Sequence, residues 1–251
     1  MVSATTSMSA ESVGKPSASA VLPSDGNSIV FNSDKKGLDD LYRKSLAVEA
    51  EAELLYGSEK RLVAEAWSHD GRYIAYVYDP TEGGGTVEGG GGIMLLPLAE
   101  KKDPIPVVQG KFTYDEPEFS PDDKWIAYVC DESGSDEVYI RPLDGRGERR
   151  PISNKGGTQP QWRGDGKELF YLSLDGALMS VELRGQSFTP SVPQTLFQTN
   201  LNVNPGLDQY AATRDGKRFL MVANPLKAEK ATKIAFVLNW LEELKQRVPF
   251  K

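Results

Sequence analysis

The hydrophobic and polar positions of the chain repeat one pattern five times. In each copy an apolar run ends, a short polar turn containing Asp follows, and a second run rich in β-branched and aromatic residues begins. Asp accepts backbone hydrogen bonds in turns, and Gly adopts the positive φ that such turns need. Each copy therefore predicts a β-hairpin, with its turn aspartate at Asp25, Asp70, Asp122, Asp165 or Asp215.

Each copy continues with a second hairpin and a last short strand. The predicted last strands are residues 53–56, 105–108, 150–153 and 194–197. Four strands per copy, repeated at intervals of 43 to 52 residues, predict an all-β fold, a β-propeller of about five four-stranded blades. The fifth copy lacks a last strand. Either residues 17–22 supply it and close the ring, or the chain is a truncated arc of a larger propeller.

The pattern also predicts the domain organisation. Residues 1–17 are expected to be a disordered leader, and residues 241–251 a short helical tail. The propeller is expected to span residues 18–240, with blades at approximately 18–56, 63–108, 114–153, 158–199 and 207–240. Residues 1–20 lack the basic and apolar regions of a secretory signal, and the chain has no apolar run long enough for direct membrane insertion.

Composition narrows the kind of partner. The formal net charge is -7, which disfavours nucleic acid because affinity for a phosphate backbone depends on concentrated Lys and Arg. The single cysteine, Cys130, allows no internal disulfide, and its apolar surroundings predict a buried structural thiol. We therefore expect a protein or peptide partner, and a monomer if the propeller closes.

Two stretches carry a resemblance to known proteins. The sequence FSPDDKWIAYV from Phe119, with the following DESGSDEVYIRPL from Asp131, resembles the TolB-like, WD-repeat-like β-propeller repeat. The segments GGTQPQW from Gly156, KELFY from Lys167 and VLNW from Val237 are similar to the C-terminal propellers of bacterial membrane-anchored Ser/Thr kinases. The second resemblance implies the sensor part of a larger, membrane-anchored or extracytoplasmic signalling protein. Kinase motifs are missing from the sequence.

Candidate catalytic features have plainer interpretations. The glycine runs at 83–85 and 89–92 lack the sequence that follows a phosphate-binding loop, and we interpret them as a flexible hairpin. His69, the single histidine, occupies a turn position, and no nucleophile elbow is present. The acidic residues between Asp131 and Glu137 are spaced as a solvated hairpin rather than a calcium loop. Trp67, Phe119 and Trp162 share one repeat position and are expected to pack between blades.

The repeat also predicts where binding would occur. The residues six and seven positions before each turn Asp should begin the innermost strand, which lines the central channel. We predict a polar, net acidic rim at one channel mouth, suited to a cationic ligand, a basic peptide or a metal ion, formed by Glu65, Asp115, Glu116, Gln159, Asp208 and Gln209. The alternative is that these are strand-end residues that only face water.

Two functions remain open from the sequence. The first is a non-catalytic binding or scaffolding module that docks a protein or peptide, with no cofactor, no metal and no catalytic residue. The second is a hydrolase or lyase of the propeller type, with a site built from loops around a metal. Such a site would be expected to use several histidines, and the chain has one.

Overall fold

The computed structural model describes residues 19–23, 26–35, 37–46, 51–79, 90–99, 103–144, 147–185, 188–205 and 207–222. The leader predicted at 1–17, the helical tail predicted at 241–251 and the end of the fifth blade lie outside these ranges. Within them, no helix has the length and apolar character that crossing a membrane would require.

The described strands form successive antiparallel sheets, which are the blades of the predicted β-propeller. In the first three blades the strands pair in chain order, each with the next. Blade 1 contains β1 Ala20–Val21, β2 Ser28–Ser33, β3 Asp40–Ser45 and β4 Glu53–Tyr56. Blade 2 contains β5 Arg61–Trp67, β6 Tyr73–Asp79, β7 Gly91–Pro97 and β8 Ile105–Gly110. Blade 3 contains β9 Tyr114–Phe119, β10 Trp125–Cys130, β11 Glu137–Pro142 and β12 Arg150–Pro151.

The fourth and fifth sheets differ from this plan. Blade 4 has five strands, because both β16 and β17 pair with the outer edge of β15. Its strands are β13 Thr158–Trp162, β14 Glu168–Leu172, β15 Ala177–Arg184, β16 Thr189–Pro190 and β17 Gln194–Gln198. The prediction of four strands per repeat is therefore wrong for this blade. The described part of blade 5 is the hairpin of β18 Tyr210–Ala212 and β19 Phe219–Met221.

Two local predictions need correction. Ala20 and Val21, expected near the strand that completes the fifth blade, instead pair with Phe31 and Val30 as the innermost strand of blade 1. Gly91 and Gly92, assigned to a flexible hairpin, belong to β7. A side chain at residue 92 would approach Tyr78 and the Val108 carbonyl oxygen to 2.7 Å, so close packing requires glycine there.

The repeated turn forms for the reason that the sequence suggests. In blade 2, Asp70 Oδ1 accepts hydrogen bonds from Ser68 Oγ at 2.9 Å and from the Arg72 N–H at 2.9 Å. Gly71 adopts a φ of 75° between them. The same Ser or Thr to Asp bond recurs at Ser120 and Thr213. Side-chain acceptors thus satisfy the turn backbone in several blades.

Apolar residues on the faces of neighbouring blades form the core. Phe119 and Trp162 are buried, as predicted for their shared repeat position, and Trp67 packs against a third cluster. The thiol of Cys130 is also buried, with 1% of the residue exposed, which confirms its structural interpretation. Burial of this apolar surface drives the stacking of the blades.

The innermost strands share an irregularity at equivalent positions. The register of β5 against β6 shifts at Glu65, that of β9 against β10 at residues 116–117, and that of β13 against β14 at residues 159–160. Bulges of this kind bend a strand and redirect its side chains. They lie at the predicted rim positions and shape the candidate site.

Candidate functional site

Five of the six predicted rim residues lie at or near the beginnings of the innermost strands, whereas Glu65 is the fifth of the seven residues of β5. Asp115 and Glu116 are in β9, Gln159 is in β13, and Glu65 is at the bulge of β5. Asp208 and Gln209 come directly before β18. Apart from Glu65, the predicted residues therefore occupy the same end of the innermost strands of blades 3, 4 and 5.

Glu116 joins blade 3 to blade 4. Its carboxylate accepts hydrogen bonds from the Thr158 hydroxyl at 2.8 and 2.9 Å, and from the backbone N–H of Gln159. Glu116 itself adopts a φ of 52°, which is uncommon for a residue with a side chain. Its carboxylate is therefore already engaged in the structure of the channel wall.

Gln159 and Gln209 join blade 4 to blade 5. Gln159 Oε1 accepts the backbone N–H of Gln209 at 2.7 Å, and Gln159 Nε2 donates to Gln209 Oε1 at 3.1 Å. Gln159 is 3% exposed, and its own backbone carbonyl accepts the Tyr210 hydroxyl at 2.9 Å. Both side-chain amides are engaged with neighbouring protein groups.

Glu65 lies in a strongly acidic environment. Burial raises the pKa of its carboxyl well above the ordinary value, and the nearby negative charges of Asp115, Asp208 and Glu116 raise it further. The charges that contribute to this shift come from the innermost regions of blades 3 and 5, whereas Glu65 belongs to blade 2. The predicted rim acids therefore act on one another electrostatically.

Glu118 is a fifth acid of this group, and sequence reasoning missed it. Burial raises its pKa to about 8, and the charge of Asp208 contributes in the same direction. Glu118 lies two residues beyond Glu116 in β9, separated from it by Pro117. A second acid close to Glu116 in the same predicted strand was a usable signal, but the bulge at residues 116–117 breaks the regular alternation of side chains that would relate the two. The repeat positions that predicted the rim did not include Glu118.

Four of these carboxyls, those of Glu65, Asp115, Glu118 and Asp208, form an acidic group that we call the channel acids. The Glu116 carboxylate is instead engaged by Thr158 and Gln159. The buried hydroxyl of Tyr210 is next to the channel acids, since burial and the charges of Glu118, Glu116 and Asp208 raise its pKa. Mutually repelling carboxylates in a partly enclosed place favour proton uptake or a bound positive charge.

Among the residues that the structure describes, no three His, Cys, Asp or Glu side chains are arranged to hold a metal ion.

The other candidate residues lie elsewhere. His69 is in the first turn of blade 2, where its Nδ1 atom is 3.1 Å from Asp123 Oδ1. In the acidic hairpin of blade 3, Asp131 accepts the Thr113 N–H at 2.9 Å and Glu132 pairs with Arg149. These contacts support the turn interpretation of His69. The solvated-hairpin interpretation is wrong for Glu137, which is 6% exposed and whose carboxylate accepts the Gly156 N–H at 2.8 Å.

The fold of this chain matches those of several solved structures. No family model and no curated protein matches the sequence. Among solved structures, TolB of Agrobacterium tumefaciens matches with a TM-score of 0.56 and 16% identity, covering 74% of this chain and 67% of that one. TolB of Acinetobacter baumannii matches with a TM-score of 0.52 and 16% identity, covering 79% and 52%. An oligogalacturonate lyase in complex with manganese matches with a TM-score of 0.60 and 16% identity, covering 82% and 58%.

These matches agree with the resemblance found in the repeat sequence. They cover about two thirds of one TolB chain and little more than half of the other two proteins. At 16% identity they carry information about the fold alone. The chain has the fold of a TolB-like β-propeller.

Proposed function

We propose that this chain is a non-catalytic binding module, which holds a protein or peptide partner by inserting a positively charged side chain of the partner among the channel acids. The observation that carries this proposal is that burial and the negative charges of Asp115, Asp208 and Glu116 raise the pKa of the Glu65 carboxyl, beside bulged innermost strands that bring acids from several blades to the channel. A cationic group placed there would relieve the repulsion between them. The TolB-like fold supports the general role, because propellers present a channel mouth surrounded by loops.

The partner should be basic rather than metallic or anionic. The described acids do not assemble a metal-binding group. An oligogalacturonate is a chain of carboxylate-bearing sugars, and the channel acids would repel it. A Lys or Arg side chain supplies one positive charge and several hydrogen-bond donors, which suits a group of carboxylates.

The test is binding of fluorescein-labelled hexalysine, followed by fluorescence anisotropy at low and at physiological salt. We expect hexalysine to bind, labelled hexaglutamate not to bind, and added salt to weaken the interaction. Replacing Glu65→Gln and Asp208→Asn together should weaken binding by about tenfold, which corresponds to about 1.4 kcal/mol.

The matched control is Glu182→Gln. Glu182 is an exposed acid on β15, paired with Arg184 on the outer part of blade 4. This variant changes the net charge of the chain in the same direction as each channel substitution. Equal loss of hexalysine affinity in the control and in the channel variant would show that net charge alone is responsible, and would overturn the proposed site.

A second candidate function is an acid–base enzyme of the hydrolase or lyase type. One observation favours it: the carboxyl of Glu118, with its pKa raised to about 8, would exchange protons readily near neutral pH. The test is an assay of polysaccharide and peptide substrates with Glu118→Gln as the comparison. Turnover that Glu118→Gln abolishes would show that the chain is an enzyme and would overturn the binding proposal. No turnover by either the unchanged protein or the variant would support the binding proposal.

A further inference from the structure

Three successive blades are linked at their innermost strands by one kind of hydrogen bond. The residue six positions before the turn Asp accepts, through its side chain, the backbone N–H of the equivalent residue in the next blade. Glu116 accepts the N–H of Gln159, and Gln159 Oε1 accepts the N–H of Gln209 at 2.7 Å. The same repeat position thus supplies both the acceptor of one link and the donor of the next.

The backbone explains how one position serves both purposes. Glu116 has a φ of 52° and Gln159 a φ of 55°, and both lie at the bulges of their strands. Positive φ costs a residue with a side chain about 1 kcal/mol or more. Glycine would avoid that cost but has no acceptor for the next blade. Glu116 and Gln159 therefore adopt positive φ at positions where the next blade needs a side-chain acceptor, which glycine could not supply.

The series continues into the segment before blade 5. Gln209 Oε1 accepts the N–H of Asn204 at 2.7 Å, and Gln209 Nε2 donates to the carbonyl oxygen of Asn202 at 2.9 Å. Gln159 Nε2 also donates to the carbonyl oxygen of Asn204, at 3.3 Å. These bonds fix residues 202–204 against Gln209, and Asp208 is the direct neighbour of Gln209 in the chain.

We propose that Glu116, Gln159 and Gln209 are positioning residues, which hold Asp208 in place relative to Glu65 and Glu118 and do not themselves contact the bound group. This proposal rests on the proposed function for what is bound, but the hydrogen-bond series exists without a ligand. The six predicted rim residues thus fall into two classes. Glu65, Asp115 and Asp208 present charge to the partner, and the other three maintain the spacing.

Amide hydrogen exchange of the free protein, read by NMR, tests the series directly. Glu116→Ala removes the first acceptor, and we expect faster exchange at the N–H groups of Gln159, Gln209 and Asn204. Glu116→Gln keeps an acceptor oxygen, and we expect exchange at all three to stay close to that of the unchanged protein. Faster exchange at Gln159 alone after Glu116→Ala would overturn the proposed series.

Hexalysine binding tests the positioning role. We expect Glu116→Gln to bind within about threefold of the unchanged protein and Glu116→Ala to bind about tenfold more weakly, because only the alanine variant loses the spacing. Equal weakening by both substitutions would show that Glu116 acts through its charge, and would overturn the positioning role. If the unchanged protein does not bind hexalysine, the proposed function fails, and the exchange experiment still decides the series.

Two further variants keep the test decisive if Glu116→Ala does not fold. Gln209→Ala breaks the last link, and faster exchange at Asn204 with unchanged exchange at Gln159 is expected. Gln161→Ala is the matched control: Gln161 also links blades 4 and 5, through Tyr210 at 2.7 Å and Ala212 at 2.8 Å, but lies outside the series. It should speed exchange at Ala212 only. Faster exchange at Gln209 in this control would show general loosening and overturn the proposal.

Discussion

The side-chain carboxylate of Asp123 accepts the backbone N–H of His69 in the preceding blade, with 2.9 Å between the two heavy atoms. It also accepts the N–H of Asp70, at 2.8 Å. Asp123 occupies the turn position that is glycine in the other four copies, and it adopts a φ of 53°. The departure from the repeat has a physical reason, because glycine could not make this link between blades 2 and 3.

Three substitutions at this position separate backbone strain from the link itself. Asp123→Gly removes the strain and the acceptors, and we expect it to destabilise the protein by about 1 to 2 kcal/mol. Asp123→Ala keeps the strain and should cost about 1 kcal/mol more. Asp123→Asn keeps one acceptor and should cost least. Urea unfolding measures all three.

His69→Ala is the control for this prediction. It removes the exposed imidazole but leaves the two backbone N–H groups that Asp123 accepts, so we expect a change below about 0.5 kcal/mol. If Asp123→Gly were as stable as the unchanged protein, the link would only offset the backbone strain of Asp123 and would contribute no net stability.

The links between blades complement one another. Between blades 2 and 3 the inner position is Ala64, which has no side-chain acceptor, and the Asp123 link lies at the opposite end of the strand. Between blades 3 and 4 the turn residue is Pro121, which has no N–H to donate, and Glu116 supplies an inner link. Between blades 4 and 5 both kinds occur, since Gly164 donates to the carbonyl oxygen of Arg214 at 2.9 Å.

The fold was largely predictable because its signals are local. In the four described turns, at Asp70, Asp122, Asp165 and Asp215, the Asp bonds to residues within a few positions, so a short sequence pattern determines the hairpin. The last strands predicted at residues 53–56 and 194–197 correspond to β4 and β17. The added strand β16 was not predictable in the same way, because a two-residue strand, Thr189–Pro190, carries almost no pattern.

The site was less predictable because it depends on contacts between blades. Nothing local shows that Gln159 would adopt positive φ, since its partner Gln209 is far along the chain. The sequence identified polar residues of the innermost strands but could not show which of them link neighbouring blades. The raised pKa of Glu118 likewise depends on burial and on Asp208 in another blade.

A second prediction concerns the glycine that precedes β7. A Cβ atom at residue 90 would lie 1.6 Å from the carbonyl oxygen of Gly110, and Gly90 has a φ of 57°. The Gly110 backbone is held by pairing with Gly91, so it cannot move away without breaking the β7–β8 ladder. We expect Gly90→Ala to destabilise the protein by about 3 kcal/mol or more, measured as the free energy of unfolding in urea.

Gly71→Ala is the matched control for Gly90→Ala. Gly71 has a φ of 75°, but a Cβ atom there would meet nothing within 4 Å. Backbone strain alone should cost about 1 kcal/mol. The difference between the two variants measures the clash. Equal losses of stability would mean that blade 2 accommodates the added methyl group, and would contradict the close packing at residue 110.

The third prediction concerns Glu118 and the dependence of stability on pH. Burial raises the pKa of its carboxyl from 4.5 to about 8. Between pH 4.5 and about pH 8 the folded chain therefore holds a proton that the unfolded chain has released. Folding is therefore favoured as pH falls from about 8 towards 4.5, and the cost of ionising Glu118 is fully present above about pH 8. Glu118→Gln removes that cost. We expect the variant to be more stable than the unchanged protein at about pH 8.5 by about 1 to 3 kcal/mol, with a much smaller difference at about pH 5.

The measurement is urea unfolding of both proteins across that pH range, with Glu182→Gln as the control. Glu65 should contribute in the same direction, because its pKa is also raised by burial and by neighbouring acids, so the Glu118→Gln variant retains part of the pH dependence. The exposed Glu182 control should follow the unchanged protein at every pH. Parallel pH profiles for Glu118→Gln and the unchanged protein would show that Glu118 ionises as freely in the folded chain as in the unfolded one. Its carboxyl would then not belong to the enclosed acidic group on which the proposed binding of a cationic side chain depends.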